Sequence, residues 1–128
     1  MKNINIEATK RTPKIEFNSN GNLSISGTSI SENAVAFYYP LISWIKEFIQ
    51  TQPTKVVLNI NLDYINTSSN TCLLRMLSEI KSGVSLPEYL TIVWNFDKED
   101  EDAQEHGEII EKLIKHPVKF IPIDYSNN

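Results

Sequence analysis

From residue 14 onward the apolar residues switch repeatedly between two spacings, and this alternation constrains the fold more than any single motif. KIEFNSN and NLSISGTS alternate with period two on either side of Asn20-Gly21. That pair favours a two-residue hairpin with both turn residues at positive φ. Leu41, Trp44, Ile45 and Phe48 then adopt the i, i+3, i+4, i+7 spacing of a helical stripe. KVVLNINLDYI returns to partial alternation through Val57, Leu58, Ile60, Leu62 and Ile65. A second stripe, Leu73, Leu74, Leu77 and Ile80, ends near Gly83 with Pro87 just beyond, and YLTIVWNF follows as a compact β-branched run suited to a buried strand. Ile109, Ile110, Leu113 and Ile114 form a third stripe, and VKFIPIDY closes the chain as a strand that Pro122 assigns to an edge or an irregular position. The expected order is ββαβαβαβ, an α/β fold with a largely parallel mixed sheet, opened by an antiparallel hairpin and covered by helices. No repeat, linker or composition break divides the chain, so residues 1–128 are read as one domain.

Pro40 interrupts the first helical segment. Because proline cannot donate to the preceding turn, it is expected to open the main helix at its first position, after a short turn over residues 32–37. Ser29 and Glu32 are candidates for a capping box ahead of it.

Composition narrows the function classes. A chain of 128 residues buries about two thirds of its unfolded surface, and its single Cys72 offers no intrachain disulfide. With no secretory leader, the expected compartment is the cytoplasm. The longest apolar stretch, VAFYYPLISWI, is broken by Pro40 and Ser43 and too short to span a bilayer, so no membrane partner is expected. A net charge of −4, with scattered basic residues, disfavours nucleic acid. The four glycines form no phosphate loop, so no nucleotide cofactor is expected.

The most unusual stretch is DYINTSSNTCLLRML, residues 63–77. A helix needs one capping oxygen, yet Asn66, Thr67, Ser68, Ser69 and Asn70 offer five candidates at a strand-to-helix junction, where α/β sheets tend to place their sites. Capping and turn chemistry accounts for one or two of them. The functional alternative is a phosphoacceptor: a hydroxyl at the positive end of a helix dipole, where a phosphate meets unpaired backbone N–H groups.

Three blocks give that alternative a family context. SGTSISENAVAFYYPLISWI, LDYINTSSNTCLLRML and VWNFDKEDEDAQEHGEII resemble, in order and spacing, the successive signatures of the SiaC family of bacterial regulatory phosphoproteins. The resemblance spans roughly residues 22–115, with Ser31 where proline is expected and Ala103 where methionine is expected. It implies a fold like the STAS domains of anti-sigma-factor antagonists and a non-catalytic mode of action. By the same resemblance, a Thr of the NTSS block would be phosphorylated by a dedicated kinase and dephosphorylated by a PP2C-type phosphatase, and the unphosphorylated form would, as in the best-known branch of the family, bind and activate a diguanylate cyclase. Carried over, the acceptor is Thr67, with Ser68 next, and Asn66, Ser69, Asn70, Asp100 and Asp102 are expected on the partner-binding surface. The competing expectation is a STAS-like module that binds a protein or small ligand constitutively, with NTSS only a cap.

Other features point less far. The segment from Asp97 to Glu111 carries eight of the sixteen acidic residues. Acids in a helix's first turn are favoured by its dipole, and a charge run is usually a solvated face; partner positioning by Asp100 and Asp102 is the alternative. Asp97, Glu99, Glu101 and Glu108 mimic calcium-loop positions, but Asp102 stands where the loop needs glycine, which argues against a metal. His106 and His116, the two histidines, lack zinc-ligand spacing and are read as solvated or satisfied. A serine hydrolase would need a G-x-S-x-G elbow that is absent. Of the Tyr38-Tyr39 pair, one ring is expected inside and one outside.

Overall fold

The computed structural model describes residues 1–127. Six strands and three helices follow one another as β1 (Ile4–Ile6), β2 (Lys14–Phe17), β3 (Asn22–Ser29), α1 (Ala34–Ile49), β4 (Val56–Ile65), α2 (Thr67–Gly83), β5 (Leu90–Asp97), α3 (Glu101–Ile114) and β6 (Val118–Ile123). The sheet order equals the chain order, β1-β2-β3-β4-β5-β6. β1, β2 and β3 pair antiparallel, and β3 to β6 run parallel.

Each parallel step moves one strand over in the same direction, so right-handed crossovers put α1, α2 and α3 on one face of the sheet. Burial records this sidedness. Leu58 and Ile60 of β4 and Leu90, Ile92, Trp94 and Phe96 of β5 are buried, whereas Asn59, between the first pair, and Thr91, between Leu90 and Ile92, are exposed. The helices therefore cover one face, and the other carries Glu16, Ser24, Asn59, Thr91 and Asn95. The inner stripe expected of α1 is realised, with Leu41, Trp44, Ile45 and Phe48 all buried. Tyr38 is inside at 1% exposure and Tyr39 outside at 64%.

Four details depart from the sequence reading. Strand β1 was not expected; its three residues pair with β2 through Ile4, Asn5 and Ile6, giving six strands rather than five. The hairpin turn is wider than two residues. Asn18 accepts from the Gly21 amide at 3.0 Å, and of Asn20 and Gly21 only Gly21 has positive φ, +102°, which a residue without Cβ adopts at no cost. Pro40 does not open α1, which begins at Ala34 behind Asn33; the Asn33 side chain accepts from the Ala36 amide at 3.2 Å, in place of a Ser29–Glu32 capping box. The helix continues through Pro40 because Tyr38 and Leu41 bury on either side of it, while Pro40 and Ala36, whose carbonyl loses its partner, both face water. In α3, Ile110 and Ile114 are buried but Ile109 and Leu113 are 56% and 61% exposed, so half of the expected stripe is surface. Pro122 lies in β6, an edge strand, as expected.

Candidate functional site

The parallel strands end where α2 begins, and the junction is anchored from several directions. The Asn66 amide donates to the Ser29 carbonyl at 2.9 Å, and the Asn66 side-chain nitrogen donates to the Ser31 carbonyl at 3.2 Å. Its side-chain oxygen accepts from the Ser69 amide at 2.9 Å, capping α2. One residue thus fixes the helix start to β3 and to the loop before α1. Beneath it the buried Ser29 and Tyr38 hydroxyls share a 2.7 Å hydrogen bond, and burial raises the Tyr38 pKa.

With Asn66 acting as the cap, the remaining polar residues separate by environment. Ser69 is 0% exposed, and its hydroxyl has no partner among the described residues. It is therefore removed from the expected partner-binding surface, because nothing outside the protein reaches it. Ser68 is exposed and its hydroxyl donates toward the Asn66 oxygen at 3.4 Å. Thr67, the first residue of α2, is exposed; its carbonyl accepts from the Thr71 hydroxyl at 3.2 Å, and its own hydroxyl makes no hydrogen bond among the described residues. The amides of Thr67 and Ser68 precede the first intrahelical bond, which runs from the Asn70 amide to the Asn66 carbonyl at 2.9 Å. A free hydroxyl thus stands beside two unpaired donors at the positive end of a helix.

Asn70 and Thr67 share one side of α2, three residues apart. Asn70 reaches across to α3, where its side-chain oxygen lies 2.6 Å from His106 Nε2. An amide oxygen carries no proton, so Nε2–H donates. The His106 ring meets Trp94 edge-on, centroids 5.1 Å apart, and Trp94 Nε1–H donates to the Ala103 carbonyl at 3.0 Å. Burial lowers the His106 pKa below the ordinary histidine value. Ile65, Asn66, Thr67, Asn70 and His106 line a shallow cavity of about 260 Å³. A neighbouring cavity of about 210 Å³ continues past His106 to Tyr64, Asp63, Asp100 and Asp102.

The acidic stretch shares this pole of the molecule. Asp100 caps α3 by accepting from the Ala103 amide at 3.0 Å, and Asp97 accepts from the Glu99 amide at 3.0 Å. Asp102 lies in the exposed first turn of α3. Two of these acids therefore have local structural roles, and Asp100 and Asp102 also face the second cavity. Among the described residues no cluster of three or more His, Cys, Asp or Glu is arranged to hold a metal, and no helix is long and apolar enough to cross a membrane. His116 is buried on the opposite side of the fold, bonded to the Leu90 carbonyl at 2.9 Å.

The sequence reading brings out Thr67, Asn70 and Asp102 but gives no site role to His106 or to the exposed Tyr64, which lines the second cavity. The His106–Asn70 contact spans 36 residues, and no local spacing announces it. α3 is held against the sheet closely enough to make it: at Gly107 an added Cβ would lie 2.7 Å from Phe120 Cε1 and 2.8 Å from Trp94 Cδ1.

Comparison with known proteins places the chain in context. The family model described as SiaC family regulatory phosphoprotein matches residues 6–123. An uncharacterized protein of Pseudomonas aeruginosa (strain UCBPP-PA14) is 27% identical over 109 residues, covering 84% of this chain and 86% of the relative. Apo-SiaC from Pseudomonas aeruginosa superposes with a TM-score of 0.85 at 24% identity, covering 94% of this chain and 99% of its own. A chain in the crystal structure of the diguanylate cyclase SiaD in complex with its activator SiaC, from the same organism, gives 0.86 at 24% identity with the same coverage. These solved structures share the mixed sheet with three helices.

Proposed function

The chain belongs to the SiaC family of regulatory phosphoproteins, and from that membership and the α2 junction we propose that it is a non-catalytic switch controlled by phosphorylation of Thr67. The observation that carries this reading is the contrast within NTSS: Asn66 alone caps the helix, Ser69 is sealed, and Thr67 presents to solvent a hydroxyl with no hydrogen bond among the described residues. A kinase transfers the γ-phosphoryl group of a nucleoside triphosphate to Thr67 Oγ1, which loses its proton as the diphosphate departs. A PP2C-type phosphatase returns the hydroxyl by adding water and releasing inorganic phosphate. The modification brings a charge of about −1.5 to −2 and three acceptor oxygens to a surface whose amides are free to bind them, with no demand on the core.

The partner is a protein that reads this pole. In the related Pseudomonas structure SiaC is the activator of the cyclase SiaD, and a diguanylate cyclase is accordingly the effector we assign first. Asn66, Asn70, Asp100 and Asp102 form the polar part of the docking surface, with the exposed Tyr64 ring beside them.

Intact-mass measurement on protein recovered from its native host, followed by site mapping, tests the reading. One phosphate at Thr67, lost in Thr67→Ala without loss of thermal stability, is the expected result. Partner capture should differ between wild type and Thr67→Ala. An unmodified protein that captures the same partner in both forms would mean that NTSS is only a cap; modification persisting in Thr67→Ala would move the acceptor to Ser68.

A further inference from the structure

We propose that His106 is the residue through which α3 senses a phosphate on Thr67: the dianion, seated in the cavity that both side chains line, draws the imidazole away from Asn70. The proposal rests on Thr67 being the phosphoacceptor and adds how the charge is transmitted.

The geometry provides the competition. In the unmodified protein His106 Nε2–H has a neutral acceptor, the Asn70 side-chain oxygen at 2.6 Å. Thr67 lies one helical turn before Asn70 on the same side of α2, and both line the cavity with His106. A phosphate on Thr67 therefore enters within reach of the same imidazole. A charged acceptor makes a hydrogen bond about twice as strong as a neutral one, and stronger still when the donor is also charged. The imidazole then gains by taking a proton and turning to the phosphate.

The charges facing His106 from each neighbouring element support this direction. α3 contributes Asp102 and the preceding loop Asp100, β4 contributes Asp63 and the Tyr64 ring, and β5 contributes the uncharged Trp94. α2 contributes Thr67 and Asn70, neither charged. In the unmodified protein burial keeps the imidazole below its ordinary pKa. Phosphorylation places a dianion on the α2 side, which contributes no charge in the unmodified protein. Release of Asn70 removes a side-chain tie between α2 and α3, so the surface that changes includes α3 and its exposed Ile109 as well as the modified residue.

The experiment uses full-length protein with phosphothreonine incorporated at position 67 during translation, so that no kinase is required. The histidine Cε1–H resonances of modified and unmodified protein are followed against pH by NMR, with His106→Gln distinguishing His106 from His116. The expected result is a His106 midpoint at least one unit higher in the phosphorylated protein, a tenfold gain in proton affinity. Linkage then requires the second ionisation of the phosphate, read by ³¹P NMR, to lie lower in wild type than in His106→Gln. Identical His106 midpoints with and without phosphate overturn the proposal. If His106→Gln fails to fold, His116→Gln supplies the assignment and the two His106 midpoints decide. A host protein that carries no phosphate contradicts the function proposed above but leaves this coupling measurable, so the two failures are distinguishable.

Discussion

Replacing Gly107 by alanine tests how tightly α3 must sit on the sheet for the α2–α3 contact to exist. The new Cβ would stand 2.7 Å from Phe120 Cε1 and 2.8 Å from both Trp94 Cδ1 and Nε1. Non-bonded carbons are comfortable at about 3.5–4.0 Å, so helix and rings must separate by about 1 Å. The rings have little freedom to yield. Trp94 is 4% exposed, donates to the Ala103 carbonyl and packs edge-on against His106, and Phe120 packs on Phe96 with centroids 6.5 Å apart. Overpacking of this kind costs about 1–3 kcal/mol, and two constrained rings place it in the upper part of that range. Alanine recovers about 1 kcal/mol of helix propensity over glycine. The net expectation is a loss of about 1–2 kcal/mol, a fall in Tm of about 4–8 °C for a chain of this size. Urea and thermal unfolding followed by far-UV circular dichroism measure the loss, and tryptophan fluorescence of the folded variant reports the displacement of Trp94. A variant that unfolds at or above the wild-type temperature would refute the close-approach argument.

The buried Ser69 hydroxyl has no partner among the described residues, and an unsatisfied buried polar group costs about 1–3 kcal/mol; Ser69→Ala should therefore raise stability by about 1 kcal/mol in denaturant unfolding, and a loss would mean that the hydroxyl is satisfied. Tyr38→Phe removes the partner of the buried Ser29 hydroxyl and should cost about 1–3 kcal/mol by the same measurement, whereas an unchanged midpoint would remove that bond from the account of the junction. The His106 pKa is depressed on folding from its ordinary 6.5, so the unfolded chain binds more protons as pH falls past that value. The associated stability is present above pH 6.5 and is lost as pH falls through the folded pKa. Unfolding midpoints should decline over that range in wild type and decline less in His106→Gln.

Where the fold was legible in the sequence, one physical preference acted alone. The α1 stripe and the β5 run were readable because burial dictates their spacing, and the NTSS junction because so many small polar residues collect there. Pro40 was misread because the rule against interior proline competes with burial of Tyr38 and Leu41 on both sides of it, and burial won. β1 was missed because three alternating residues carry almost no signal until β2 pairs with them. Ile109 and Leu113 look like core by spacing, but a helix packed on only one side needs a narrower stripe than Ile109, Ile110, Leu113 and Ile114 together span. Within the site, Thr67 was visible from local chemistry, whereas the burial of Ser69 and the reach of His106 depend on the crossings of three helices.

The double anchorage of Asn66 bears on how the neighbouring threonine can be read at all. Its backbone continues the β-ladder from Ser29, its side chain binds both the loop and the helix, and Thr67 follows already coiled. An enzyme acting there meets a rigid helical ridge that cannot be drawn out into an extended peptide without dismantling the strand end. A free peptide spanning these residues should accordingly be a poor substitute for the intact domain, and an enzyme that accepts the domain must identify it by three-dimensional shape, not by the order of a few flanking residues.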